Sequence, residues 1–187
     1  TKQRQDINGL RLTGETGSLG MYQGRFTYGK QWKNGADFLL NASQFLSHGN
    51  DTLFFPEFSE FNNGIAHNMD QERSSRLFSR LNYRGFTLSA GYANRFRRAP
   101  TAPFGAIFND KDFYTVDRQI YTDLEYNTRI NANLGLQMRG FHHWYDYHTI
   151  EAYDLNAGKF QFLRVINKDV AATRWWGGEF KLTGTQF

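Results

Sequence analysis

The chain has 187 residues, a formal net charge of +4, no cysteine, 3 prolines, and a large aromatic complement of 18 Phe, 10 Tyr and 4 Trp. So many aromatics argue against disorder, and no apolar run approaches the roughly 20 residues of a membrane-spanning helix. The absence of cysteine excludes a disulfide scaffold, a thiolate metal site and a cysteine nucleophile, and a basic excess with no run longer than Arg97-Arg98 does not signal nucleic-acid binding.

From the first residues onward the dominant signal has period two. Leu10 and Leu12 flank Arg11; Tyr22, Phe26 and Tyr28 alternate with Gln23 and Arg25; Phe38, Leu40 and Ala42 alternate with Asn41. Further on, Leu77, Leu81 and Tyr83 alternate with Arg76, Arg80 and Asn82, and Phe86, Leu88, Ala90 and Tyr92 alternate with Thr87, Ser89 and Gly91. The same holds for Ile120, Leu124 and Tyr126 against Asp123 and Glu125, for Leu134, Leu136 and Met138 against Gln137 and Arg139, and for Trp176, Phe180 and Leu182 against Glu179 and Lys181. Alternation gives each strand one apolar and one polar face. It predicts eight strands, near 6–16, 20–31, 36–47, 73–84, 86–97, 117–128, 132–147 and 173–184. They are longer than the usual globular strand of about 5–6 residues and match the roughly 9–11 residues of a tilted strand crossing a bilayer.

The connections alternate too. Trp32 to Gly35, Arg84-Gly85 and Thr128 to Asn131 read as tight turns, with Asn34-Gly35 as a favoured hairpin pair. The segments 48–72, 99–116 and 148–172 read as long loops, and only Gly17 to Leu19 is short where the pattern asks for a long one. Short turns at one end and long loops at the other is the arrangement of an outer-membrane barrel, with turns periplasmic and loops extracellular. Alternation alone fits a soluble antiparallel sheet equally well; strand length and loop asymmetry favour the barrel. Arg76, Arg80, Arg95, Asp123, Glu125, Arg139, Glu179 and Lys181 all fall opposite the apolar stripe, where they would line a polar lumen or, in a soluble sheet, face solvent. Tyr28, Trp32, Tyr83, Phe86, Tyr92 and Tyr126 lie near strand ends, as interfacial aromatics do.

Three stretches carry a family likeness: Phe55-Pro56-Glu57-Phe58 with Asn62 to His67 and the strand Arg73 to Tyr83; Pro100 to Gly105 with Phe108-Asn109-Asp110; and Arg174 to Glu179. Together they resemble the early barrel of TonB-dependent outer-membrane receptors. The resemblance implies an all-β, antiparallel up-and-down transmembrane barrel, of which residues 1–187 supply about eight strands as one partial barrel domain. It implies location in the bacterial outer membrane, contact with membrane lipid, and uptake of a large scarce nutrient such as an iron–siderophore complex or cobalamin. It also implies energy from TonB, reached through an N-terminal region that this sequence lacks along with a plug domain. The alternative is a self-contained eight-stranded outer-membrane barrel with a structural or adhesive role; the third is a soluble β-rich module. Phe187 has the wrong parity for a barrel's terminal signature, because Phe180 and Leu182 alternate out of step with it.

Chemistry-bearing residues are few. Neither catalytic residues nor a cofactor are expected: there is no G-x-S-x-G, and His142 and His143 are neighbours that point to opposite faces. His142, Asp146 and His148 share a parity, but wetted polar residues at a strand end explain them without a metal. Ligand contact is the better functional expectation. Arg95, Arg97 and Arg98 offer planar donors to an anionic nutrient at one strand end. Phe104 and Phe108, with Phe54, Phe55, Phe58 and Tyr114, offer aromatic anchors; the competing expectation is that these rings pack the loops together.

Overall fold

The computed structural model describes residues 8–157 and 161–184, and these form ten antiparallel strands in two sheets. Eight strands make an up-and-down meander: β1 (Gly9–Gly17), β2 (Met21–Gln31), β3 (Asp37–Ser47), β6 (Glu72–Tyr83), β7 (Phe86–Arg98), β8 (Tyr114–Asn131), β9 (Leu134–Asp154) and β10 (Arg164–Gly184), paired in that order. The other two, β4 (Thr52–Phe54) and β5 (Ile65–His67), form a small sheet inside the connection between β3 and β6. The sheet is open: β1 and β10 are its two edges.

The predicted strands are present, with three differences. The first strand begins at Gly9, and the part predicted before residue 8 lies outside the described residues, as does Phe187. The long loop expected over 148–172 is largely strand, because β9 and β10 pair continuously from Leu134↔Gly184 to Asp154↔Arg164. Alternation fades over this extension: Lys168 pairs with Ile150, and Asn167 with Glu151. Backbone hydrogen bonding defines the strands there, with no help from side-chain pattern. The turns also exchange roles. At Asn34-Gly35 only Gly35 takes positive φ (84°), and the Asn34 side chain instead accepts the Ala36 N–H at 3.1 Å. The turn with positive φ at both central residues is Arg84-Gly85 (47° and 85°), the conformation that matches strand twist in a two-residue hairpin. A side chain at Gly85 would meet the Asn127 carbonyl at 2.3 Å, so this turn is pressed against β8.

One parity runs through all seven pairings of the large sheet. Leu10, Tyr28, Leu40, Ser79, Ala90, Thr122, His142 and Trp176 lie in a single cross-strand row, one from each strand. The next row toward the long-loop end is Leu12, Phe26, Ala42, Leu77, Tyr92, Ile120, Trp144 and Arg174. These side chains form the apolar face, and its large residues are exposed: Leu12 is 69% accessible, Leu124 48% and Phe180 66%. The sheet's buried polar side chains, Thr27, Ser74, Asn82, Thr149 and Glu151, all belong to the opposite face. The sheet therefore curls toward its polar side.

The apolar band crosses the strands diagonally. Its upper limit is marked by Arg73 on β6, by Arg118 one row lower on β8, and by Arg174 one row lower again on β10. Its lower limit is Lys30 on β2, whereas on β9 and β10 it continues two rows further, to Leu136 and Leu182.

Aromatics also lie on the polar face, where alternation did not place them. Tyr121, His143 and Trp175 stack across β8, β9 and β10, with centroids 5.6 and 4.9 Å apart. The Tyr121 ring covers Gly91 on β7: a Cβ there would come within 2.2 Å of it. Gly91→Ala is expected to displace Tyr121 and lower stability by roughly 1–3 kcal/mol. Gly140→Ala, which meets nothing within 4 Å, should stay within about 0.5 kcal/mol of the parent. Denaturant unfolding of the full-length protein, followed by tryptophan fluorescence, measures both.

Candidate functional site

The polar face is a wall of cross-strand contacts set by register. Arg139 on β9 lies between Glu125 on β8 and Glu179 on β10. Its Nε donates to Asp123 at 2.7 Å and its Nη1 to Glu179 at 3.1 Å, so one guanidinium ties three strands. Glu125 accepts from Gln137 at 3.0 Å. Tyr145 donates to Asp117 at 2.7 Å, and Asn41 to Thr27 at 2.7 Å. Arg95 forms a two-pronged pair with Glu72, at 2.9 and 2.8 Å. Most of the acidic groups sit on β8 to β10. Arg25, Arg76 and Arg80, on β2 and β6, have no carboxylate within ion-pair distance among the described residues. The eight charged residues read from the sequence as opposite the apolar stripe all lie on this face.

The hydrophobic core lies in the loops at one end of the sheet. Ala66, Met69, Ala106, Phe108 and Phe113 are buried together, with Leu53, Phe55, Phe58, Ala99, Ala102 and Tyr153 packed around them. Phe108 stacks on Phe58 at 4.5 Å and meets Phe55 edge-on at 6.1 Å. The two long loops are joined where the His67 N–H donates to Asn109 Oδ1 at 2.8 Å, and the second loop is held to β9 where the Ile107 N–H donates to the Ala152 carbonyl at 2.7 Å.

At the same end, the Arg164 guanidinium on β10 grips Asp110 at 2.7 and 2.8 Å and reaches Asp112 at 2.5 Å. That guanidinium holds the Asp110 carboxyl below its usual range, against a smaller opposing effect of burial. The buried Glu151 carboxylate accepts the Tyr153 hydroxyl at 2.5 Å, which pushes the phenol up to about 12.

The predicted ligand residues divide. Arg95 and Arg97 share the polar face near the top of β7, Arg95 engaged with Glu72 and Arg97 opposite Thr115. Arg98 belongs to the other face; it donates to Gln71 at 3.2 Å and to the Lys111 carbonyl, which fastens β7 to the loops. Phe108 is a core residue of the loop cluster, only 9% accessible. Phe104 is 88% accessible at the tip of a one-turn helix, with φ of 58°. Phe54 and Phe61 are exposed on the first long loop. Phe61 was missed in the sequence because it sits in a polar run, Glu60 to Asn63, with no period of its own. His142 and His143 point to opposite faces as expected, and no three metal-ligating side chains come together among the described residues.

Comparison with protein-family models, curated proteins and solved structures found no match to this chain. The class of protein is therefore defined by its architecture alone: an all-β antiparallel meander with an exposed apolar face, a hydrogen-bonded polar face and a packed loop cap.

The Asp110–Arg164 clamp predicts an acid-sensitive cap. A carboxyl whose pKa is depressed on folding contributes stability that is complete above its unfolded value, about 3.9, and is lost as pH falls through the folded value. Hydrogen exchange of residues 106–113 should therefore accelerate below about pH 4, and Arg164→Gln should give the same acceleration at neutral pH. Equal exchange in parent and variant at pH 7 would remove the clamp as a determinant of cap order.

Proposed function

We propose that this chain is part of an outer-membrane β-barrel of the TonB-dependent receptor type, which takes up a large scarce nutrient. One observation carries the membrane reading: the sheet has its apolar face out and its polar, hydrogen-bonded face in. In water an exposed face of this size is an interaction surface awaiting cover. In a bilayer it is the ordinary exterior of a barrel, and the polar side is the ordinary lumen. The slant of the band supports the same reading, because a flat hydrocarbon slab cut by strands tilted about 35–45° meets each successive strand at a different residue.

The receptor part of the reading rests on the sequence resemblance and on the long-loop end. There Phe54, Phe61 and Phe104 are exposed on a packed cap, and Arg95 and Arg97 lie on the lumen side of β7. These groups suit a bulky ligand with anionic and apolar parts. The open sheet favours a share of a larger barrel over the self-contained eight-stranded alternative. A closed barrel of eight strands would pair β1, which has 9 residues, with β10, which has 21.

Single-cysteine scanning along β7 of the full-length protein in outer-membrane vesicles tests the orientation. Labels at Leu88, Ala90 and Tyr92 should be quenched by nitroxide lipids, and labels at Thr87, Ser89 and Ala93 should not. Uniform reaction with water-soluble reagent along the strand would sink the membrane reading. For the receptor reading, deletion of the gene should abolish energy-dependent uptake of at least one ferric siderophore or of cobalamin; unchanged uptake across such a panel counts against it.

A further inference from the structure

The exposed face of the sheet is not uniformly apolar. Just above the last uncharged rows, five strands form a groove of about 460 Å³ whose lining includes Arg73, Asn94, Phe96, Tyr114, Arg118 and His148. Every one of these side chains has the outward parity. Phe96 and Tyr114 form its floor, with rings 5.1 Å apart, and the Arg73 guanidinium lies over Phe96 at 4.6 Å. Arg118 stands on the other side, its Nη1 3.9 Å from Asp146 Oδ2; His148 Nδ1 is also 3.9 Å from that oxygen. Asp146 thus faces Arg118 and His148, and neither contact has hydrogen-bond length. Between them, Asn94 Oδ1 is buried with no hydrogen-bond partner among the described residues.

We infer that this groove holds the headgroup of a phosphate-bearing membrane lipid; the inference rests on the outer-membrane reading above. Two guanidiniums facing one space suit a phosphate, which each can meet with paired N–H donors. A buried amide oxygen without a donor costs free energy until one arrives. A headgroup that also carries hydroxyl or amide donors, as a phosphorylated sugar or a glycerol headgroup does, suits this lining better than a bare phosphate. Position separates a lipid from free phosphate. Leu77, Tyr92 and Ile120 lie in the row directly below the groove, each exposed or half-buried. Acyl chains leaving a phosphate bound here would run down those rows. The groove lies at the long-loop end, so the lipid belongs to the outer leaflet.

The test uses the full-length protein in nanodiscs. Native mass spectrometry counts retained lipid during titration with phosphatidylglycerol, with phosphatidylcholine as the zwitterionic arm and inorganic phosphate as competitor. Wild type should retain phosphatidylglycerol selectively, and millimolar phosphate should not displace it. Arg73→Gln with Arg118→Gln should weaken retention roughly tenfold to a hundredfold. Asn94→Asp, nearly isosteric, should weaken it as well by placing a negative charge in the groove. Arg25→Gln with Arg76→Gln, on the polar face, should leave it unchanged. Equal retention by the double variant and the parent overturns the inference, as does complete displacement by inorganic phosphate or an equal loss in the polar-face control. Failure of the protein to enter nanodiscs at all overturns the membrane reading instead.

Discussion

Parity is the constraint on which the rest of this molecule depends. In a strand, successive side chains point to opposite faces, and a slip of one residue in any pairing would exchange the faces of every strand beyond it. Seven pairings run without such an exchange, the one irregularity falling at the turn end between Arg129 and Asn131. Leu10 on β1 and Trp176 on β10 consequently face the same way, although 166 positions separate them in the chain. Among the described residues, no helix or second layer covers that face. The largest hydrophobic surface the sequence builds is thus left to be satisfied by something other than the chain itself, and the core is displaced to the loops.

That displacement explains why the long loops are ordered. A connection of this length without a core would be a mobile segment. Here two connections share one cluster around Phe108 and Met69, the first braced by the β4–β5 ladder. The extended ends of β9 and β10 rise beside this cluster and supply Tyr153, the Ala152 carbonyl and Arg164 to it. Strands of 21 residues would reach about 70 Å if straight, and beyond Ile150, where the pairing with β8 ends, β9 pairs with β10 alone. The excess length is what the cap is built upon.

Particular residues mark where the sequence was legible. The strands with strict alternation, such as Phe86 to Tyr92, were readable because one face must be apolar throughout. So was the opposition of Arg139, Asp123 and Glu179 to the apolar stripe. The extension of β9 and β10 was not, because polar and apolar residues share both faces there and only backbone pairing specifies it. The β4–β5 ladder escaped because three residues are too few to show a period. Phe108 was offered as a ligand anchor on composition, but composition cannot distinguish a ring stacked on Phe58 from an exposed one like Phe104. The Tyr121–His143–Trp175 stack lies on the face that alternation reserved for polar groups. It is sensible there because Gly91 and Gly177 leave room for rings on neighbouring strands.

The polar wall is not electrically even, and the unevenness follows strand order. Asp117, Asp123, Glu125 and Glu179 lie on β8 to β10, and Arg139 is placed among them to neutralise two at once. Arg25 and Arg76 lie in one row on β2 and β6, with Ser43 between them, and Arg80 is two pleat repeats further along β6. Adjacent strands are about 4.8 Å apart, so β7 alone keeps the basic group from the acidic one by roughly two strand spacings. Across that spacing Arg25, Arg76 and Arg80 form no ion pair with those acids among the described residues, and screening over about 8–10 Å weakens what remains between the two groups. The polar face is therefore basic along one side and balanced along the other. The arginines of this face are uncommitted donors, since their neighbours across the strands, Thr13, Ser43, Ala93 and Ser89, carry no charge to hold them.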